Sequence, residues 1–227
     1  MRDRSAREFL TTVTAELATL TENADYQAIH EASQLILAAE SRGGRLHFTG
    51  VGKSEYVARY CAASFSSTGT PAYLLHTTEA VHGSFGQLGP SDVVVAISNS
   101  GETAELLVTA QRALDLGHKL IAVARSRTSS LARMSDLFIE VRVSSEGDRL
   151  SQAPRASVLA QMMLLQAISV ELQETKEFDA DQFRNFHPGG SLGNVAAVVQ
   201  HGPARRRAGG DTRPLYMQGV SSLPASR

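Results

Sequence analysis

Cysteine is almost absent from this sequence. Cys61 is the only one in 227 residues, so no intrachain disulfide can form and a disulfide-stapled secreted fold is excluded. Tryptophan is missing altogether and aromatic residues make up 6% of the chain. An excess of charge is lacking too. Lys plus Arg number 22 against 23 for Asp plus Glu, and a formal net charge of −1 produces no field that would gather nucleic acid or an anionic membrane. The opening residues, MRDRSAREFL, hold no apolar run of signal-peptide length, and no stretch reads as a membrane span. A cytoplasmic protein, with neither nucleic acid nor membrane as partner, is the expectation. Metal-ligand spacings are also missing: there is no His-x-x-x-His, no Cys pair and no Asp-rich loop, so no metal is expected.

What is present is ordinary globular material, 42% apolar and 20% charged, enough for one good core. Phe9, Val13, Leu17 and Leu20 recur at helical spacing, and so do Ile29, Ala32, Ile36 and Ala39 before Gly43 and Gly44 end the pattern. Five short β-rich runs follow, LHFTGV, AYLLH, DVVVAIS, KLIAVA and LFIEV, separated by helical stretches. Strands that are apolar almost throughout imply a parallel sheet covered on both faces. The expected fold is therefore α/β, a doubly wound five-stranded parallel sheet preceded by two helices. Val158, Met162, Leu165 and Leu172 mark a long later helix. Asp179 with Gln182 three residues on signals a capping box for a short helix ending at His187 and Pro188. One domain over 1–199 and a flexible tail over 200–227, rich in Gly, Pro and Arg, complete the expected organisation.

In doubly wound sheets ligands sit at the carboxyl ends of the strands, which draws attention to GVGKS, HTTEAVHGS and SNSGET. The first is no nucleotide loop. A triphosphate-binding loop needs glycine where His47 stands, and a dinucleotide fingerprint needs glycine where Glu55 stands. A strand running through a glycine turn into a helix still offers N–H groups and a dipole to some phosphate. Gly52, Lys53 and Ser54 lie there. SNSGET adds Ser98, Asn99, Ser100 and Thr103 around a second glycine turn, enough donors to hold one phosphate without a metal. Simple capping would need one of these hydroxyls, not three. Glu102 suits either a helix dipole or a proton shuttle. His82 and His187 fall on irregular segments, whereas His47 and His30 lie within a strand and a helix and read as structural.

Taken together, GVGKS, FSSTGTPAYLLHTTEAVHGSFG, VVVAISNSGETAEL, SSLARMSD and HPGGSLG resemble, in order, the sugar isomerase (SIS) domain of D-arabinose-5-phosphate isomerases. The resemblance spans roughly 46–193. It implies aldose–ketose isomerisation of a phosphosugar, for which no redox cofactor is needed, a homotetramer, and active sites completed by a neighbouring subunit. It also implies that Lys53, His82, Glu102 and His187 match the family's catalytic positions, with Glu102 or His82 as the carbon base. The family's usual pair of CBS modules after His-Pro-Gly-Gly is expected to be lacking here. Two local departures stand out. Ser84 occupies a position where the family commonly has aspartate, and Arg155 stands in a stretch that is usually Thr/Ser-rich, where it would bind a substrate anion or pair with a carboxylate. A hexulose-phosphate isomerase and a non-catalytic phosphosugar sensor are the alternatives.

Overall fold

The computed structural model describes residues 2–189; the tail expected over 200–227 and the last residues of HPGGSLG lie outside them. Two helices lead, α1 (Arg2–Asn23) and α2 (Tyr26–Glu40). Five strands follow: β1 (Leu46–Gly50), β2 (Ala72–Leu74), β3 (Val93–Ile97), β4 (Lys119–Ala124) and β5 (Leu137–Glu140). They form one parallel sheet in the order β2-β1-β3-β4-β5. Between and after them run α3 (Lys53–Ser67), α4 (Thr77–Ala80), α5 (Ala104–Asp115), α6 (Ser130–Met134), α7 (Ala156–Thr175) and α8 (Ala180–Phe186). This is the doubly wound arrangement the strand pattern predicts.

The near-continuous apolar strands are explained by the pleat, since successive side chains enter opposite cores. Val93, Val95 and Ile97 of β3 join Ile121 and Val123 of β4 in the core shared with α2, α3 and α7. Val94, Ala96, Leu120, Ala122 and Ala124 face the other core with Leu106 and Ala110 of α5 and Leu131 of α6. Phe48 and Phe65 meet edge to face at 5.0 Å in the first core. Apolar on all sides, α7 has the length and composition to cross a membrane, a feature the sequence reading did not anticipate. Half of it is buried, and it packs against α1, α2 and α3 as a core helix.

At the amino end of the sheet Asp92 organises three chain segments. Its carboxylate accepts from the Arg45 N–H, the Gly89 N–H and His47 Nε2, each at 2.8 Å. Both His47 and Asp92 are buried, which makes His47 the structural residue it was expected to be. Burial pushes its imidazole below the ordinary value, with the Asp92 hydrogen bond and charge opposing.

Candidate functional site

In the order β2-β1-β3-β4-β5 the winding direction changes between β1 and β3, and such a switch point opens a crevice at the carboxyl ends of those strands. Gly50 pairs in register with Ile97, so the segments that leave β1 and β3 emerge side by side. These are the two glycine turns singled out in the sequence.

The first turn is shaped by its glycines. A Cβ on Gly50 would lie 2.9 Å from the Ser54 carbonyl, so only glycine lets the first turn of α3 fold back over the end of β1. Gly52 adopts φ +61 and ψ −124 at the N-cap position, a backbone region that side chains disfavour, and contributes no side-chain cap. The Glu55 N–H turns back to the Gly52 carbonyl at 3.1 Å, and no side-chain cap takes the N–H groups of Lys53 and Ser54 before it. Lys53 is exposed at the start of the helix, with its ammonium 6.0 Å from the Tyr56 ring centre, and Ser54 is half-buried beside it.

The second turn is a cluster of hydroxyls. Ser98 Oγ lies 3.1 Å from Thr103 Oγ1 and 3.5 Å from Ser100 Oγ, and it accepts the Gly101 N–H at 3.0 Å. Ser100 Oγ accepts the Glu102 N–H at 3.1 Å. Thr103 stands at the N-cap of α5 yet caps no N–H with its side chain, so simple helix capping does not account for it. The segment after β4 closes over this turn. Arg125 N–H donates to the Asn99 carbonyl at 3.1 Å and Leu131 N–H to the Gly101 carbonyl at 3.0 Å. Glu102 is exposed, but its carboxylate is engaged, accepting the Ser130 N–H at 2.8 Å. Hydrogen bonds from the Ser130 hydroxyl and N–H, with help from the Arg133 charge, hold it below the usual carboxylate range.

His82 follows α4 on a turn that Gly83 closes at φ +119. The turn is tied to the end of β1 by Thr77, whose hydroxyl donates to the Gly50 carbonyl at 2.7 Å and lies 2.9 Å from Thr49 Oγ1. Thr109 on α5 in turn donates to the Thr77 carbonyl at 3.1 Å. Lys53, His82 and Glu102 therefore all rise from the carboxyl ends of neighbouring strands.

His187 does not join them. Its chain segment lies at the other end of the sheet, because α7 runs the full height of the domain, about 30 Å for its 20 residues at the usual helical rise. Lys176 at the foot of α7 bonds Thr70 and the Gly69 carbonyl just before β2. Phe178 stacks with Phe186 at 5.8 Å, which keeps the end of α8 in the same region. His187 caps α8 there, with Nδ1 2.8 Å from the Phe183 carbonyl and its ring stacked on Phe183 at 3.9 Å.

Two features escaped the sequence reading. Thr77 reads as an ordinary residue in a polar loop, and nothing local distinguishes it. Glu146, in the loop after β5, is a buried carboxylate that accepts the N–H groups of Arg155 at 2.6 Å and Ser157 at 3.1 Å at the head of α7. The Arg155 guanidinium pairs with Asp148, so of its two expected roles the structure displays the pairing with a carboxylate.

A family model described as SIS domain matches residues 40–170, more than half of the chain. The arabinose 5-phosphate isomerase KdsD of Shigella flexneri is 40% identical over 150 residues, covering 66% of this chain and 46% of its own length. The arabinose 5-phosphate isomerase KpsF of Escherichia coli is 33% identical over 202 residues, 87% of this chain and 61% of its own. The chain thus spans about half to three-fifths of the length of these curated relatives. Among solved structures, that of E. coli CFT073 c3406 in complex with arabinose 5-phosphate is 39% identical, with a TM-score of 0.74 over 81% of this chain and 95% of that one. With the match covering the sheet, both glycine turns and most of α7, the chain belongs to the SIS domain family.

Proposed function

We propose that this chain is an aldose–ketose isomerase acting on a phosphosugar, of the arabinose 5-phosphate/ribulose 5-phosphate type. The observation that carries this reading is the pair of glycine turns standing side by side at the switch point, one ringed by the hydroxyls of Ser98, Ser100 and Thr103. The 39% identity to a structure holding arabinose 5-phosphate supports the same ligand class.

In this reading the phosphate is held by Gly52, Ser54, Ser98, Asn99, Ser100 and Thr103, and the Lys53 ammonium offsets its charge and that of the reacting end. An anchor remote from the reacting carbons fixes the flexible open-chain sugar and lowers the entropic part of the barrier. For aldose to become ketose, the C2–H proton is removed as its electron pair forms the C1–C2 double bond of an enediol(ate). A proton then moves from O2 to O1, and the carbon acid is re-formed by protonation at C1. His82, exposed at the crevice, carries the carbon-bound proton, and His187 assists ring opening and the oxygen transfers.

Because His187 of the same protomer lies at the opposite end of the sheet, that second imidazole comes from another copy of the chain, in a homotetramer. Exposed apolar surface on α3 suits such an assembly: Tyr56 is 67% and Tyr60 47% exposed. Cys61, a buried free thiol, suits a reducing cytoplasm.

The test is isotopic. Incubated in deuterium oxide without added metal, the protein is expected to interconvert arabinose 5-phosphate and ribulose 5-phosphate and to place solvent deuterium at C1 or C2. A panel of pentose and hexose phosphates reveals a hexulose-phosphate preference if that is the true substrate. Saturable phosphosugar binding with no deuterium entering any of them would overturn the enzymatic reading and leave a sensor.

A further inference from the structure

A carboxylate beside a phosphate site is an electrostatic liability unless something occupies it. Glu102 sits in the turn that carries the phosphate-holding hydroxyls, and like charges at such range repel. Its carboxylate is not aimed freely into the crevice. It is spent on the N–H of Ser130, the first residue of α6, with the Arg133 side chain nearby. Arg133 in turn bonds the Thr128 carbonyl and, at 3.2 Å, Ser130 Oγ, so the acceptor, the donor and the compensating cation form one small cluster.

Three other contacts join the same two segments. Arg125 and Leu131 donate backbone N–H groups to the carbonyls of Asn99 and Gly101. Gly101 lies so close to Ser129 that a Cβ on it would sit 2.5 Å from Ser129 Cβ. Backbone bonds thus fix Asn99 and Gly101, and the Glu102 carboxylate fixes the last residue before Thr103.

We infer that Glu102 is a positioning residue that clamps the phosphate turn 98–103 to the head of α6, and is not the base that moves the carbon-bound proton. The inference rests on the phosphosugar reading above for its ligand. Its consequence is specific: the clamp preorganises Ser100, Thr103 and the Gly101 and Glu102 N–H groups, so its loss weakens binding of the phosphate end and leaves the chemical step nearly intact.

Removing the acceptor and removing the donor give independent tests. Glu102→Ala deletes the carboxylate. Glu102→Gln retains an amide oxygen that still accepts the Ser130 N–H. Ser130→Pro deletes the donor at a position that tolerates proline, since Ser130 is the first residue of α6 and Ser129 before it is already extended at φ −67 and ψ 156. Binding of arabinose 5-phosphate and of inorganic phosphate is measured by calorimetry, and kcat and KM by the isomerase assay. Glu102→Ala and Ser130→Pro are expected to weaken both ligands about tenfold and to raise KM in step, with kcat within about threefold of the parent. The double variant adds nothing further, and Glu102→Gln restores binding. A loss of kcat by a hundredfold or more in Glu102→Gln with binding preserved would overturn the inference and make Glu102 the base. Unchanged phosphate binding in both Glu102→Ala and Ser130→Pro would overturn it as well. If the parent turns over no phosphosugar, the isomerase reading falls, while the calorimetric arm still decides whether the clamp exists.

Discussion

Replacing Gly101 by alanine isolates how tightly the turn 98–103 is packed. The residue adopts φ +69, and a methyl there would lie 2.5 Å from Ser129 Cβ and 3.3 Å from Ala124 Cβ. Two costs follow. Left-handed backbone penalises an L side chain by about 1–2 kcal/mol. Forcing a methyl into filled space costs typically about 1–3 kcal/mol, because Ser129 is buried and its hydroxyl caps α6 by accepting the Ala132 N–H. The sum is about 2–5 kcal/mol. Gly117 supplies the control, for it adopts φ +87 at the end of α5 with none of the described residues within 4 Å of where a methyl would lie. Gly117→Ala therefore carries only the backbone cost of about 1–2 kcal/mol. Urea unfolding, with slopes checked for constancy, measures both. Gly101→Ala is expected to be the more destabilised of the two and to lose phosphate binding; equal losses in the two variants would mean that Ser129 moves aside freely and that the turn is not clamped.

Two further predictions concern the amino end of the sheet. Because the fold holds His47 below its ordinary imidazole value of 6.5, the unfolded chain takes up that proton first as pH falls, so its contribution is complete above about pH 6.5 and drains away below it. Stability should fall by up to about 1.4 kcal/mol per pH unit for this proton in urea titrations between pH 7.5 and 5, and a His47→Gln variant that falls just as steeply would assign the loss elsewhere. Lys176, which bonds Glu40 and Thr70 at 2.7 Å each, is largely buried and its ammonium is pushed down by that burial. Lys176→Met should cost about 2–4 kcal/mol by stranding the Glu40 carboxylate, and Lys176→Met with Glu40→Met should recover most of it; a single variant within about 0.5 kcal/mol of the parent, the size of a surface pair, would refute this.

The architecture was legible because its signals are local. DVVVAIS and KLIAVA are apolar without alternation, which only a strand covered on both faces tolerates, and both became central strands. The capping box at Asp179 and Gln182 forms as the residues suggest. The location of the two glycine turns at strand tips was equally plain, since each follows an apolar run directly. What could not be read were properties of side-chain direction and of long-range placement. Nothing in SGET tells whether Glu102 looks into the crevice or across to Ser130, since both suit a residue in the first turn before a helix. His187 lies in a stretch similar to a family motif, but its distance from the crevice depends on how far α7 carries the chain and on which end of the sheet receives it. Thr77 draws its importance from Gly50 and Thr109, residues 27 and 32 positions away, and no local pattern marks such a contact.

The helix α7 decides more about the site than its own composition suggests. It starts beside Glu146 in the loop after β5, hence at the carboxyl end of the sheet, and finishes beside Gly69 and Thr70 at the amino end. A chain that must travel about 30 Å along one rigid element cannot return a side chain to its own crevice with the seven residues of α8. The Phe178–Phe186 stack and the Phe183–His187 stack then fold α8 on itself where it stands. One protomer therefore presents a crevice with the two glycine turns, Lys53 and His82 at one end and an imidazole at the other. Two such ends can serve one substrate only when copies of the chain meet end to crevice, so in this reading assembly precedes chemistry while phosphate binding needs a single chain.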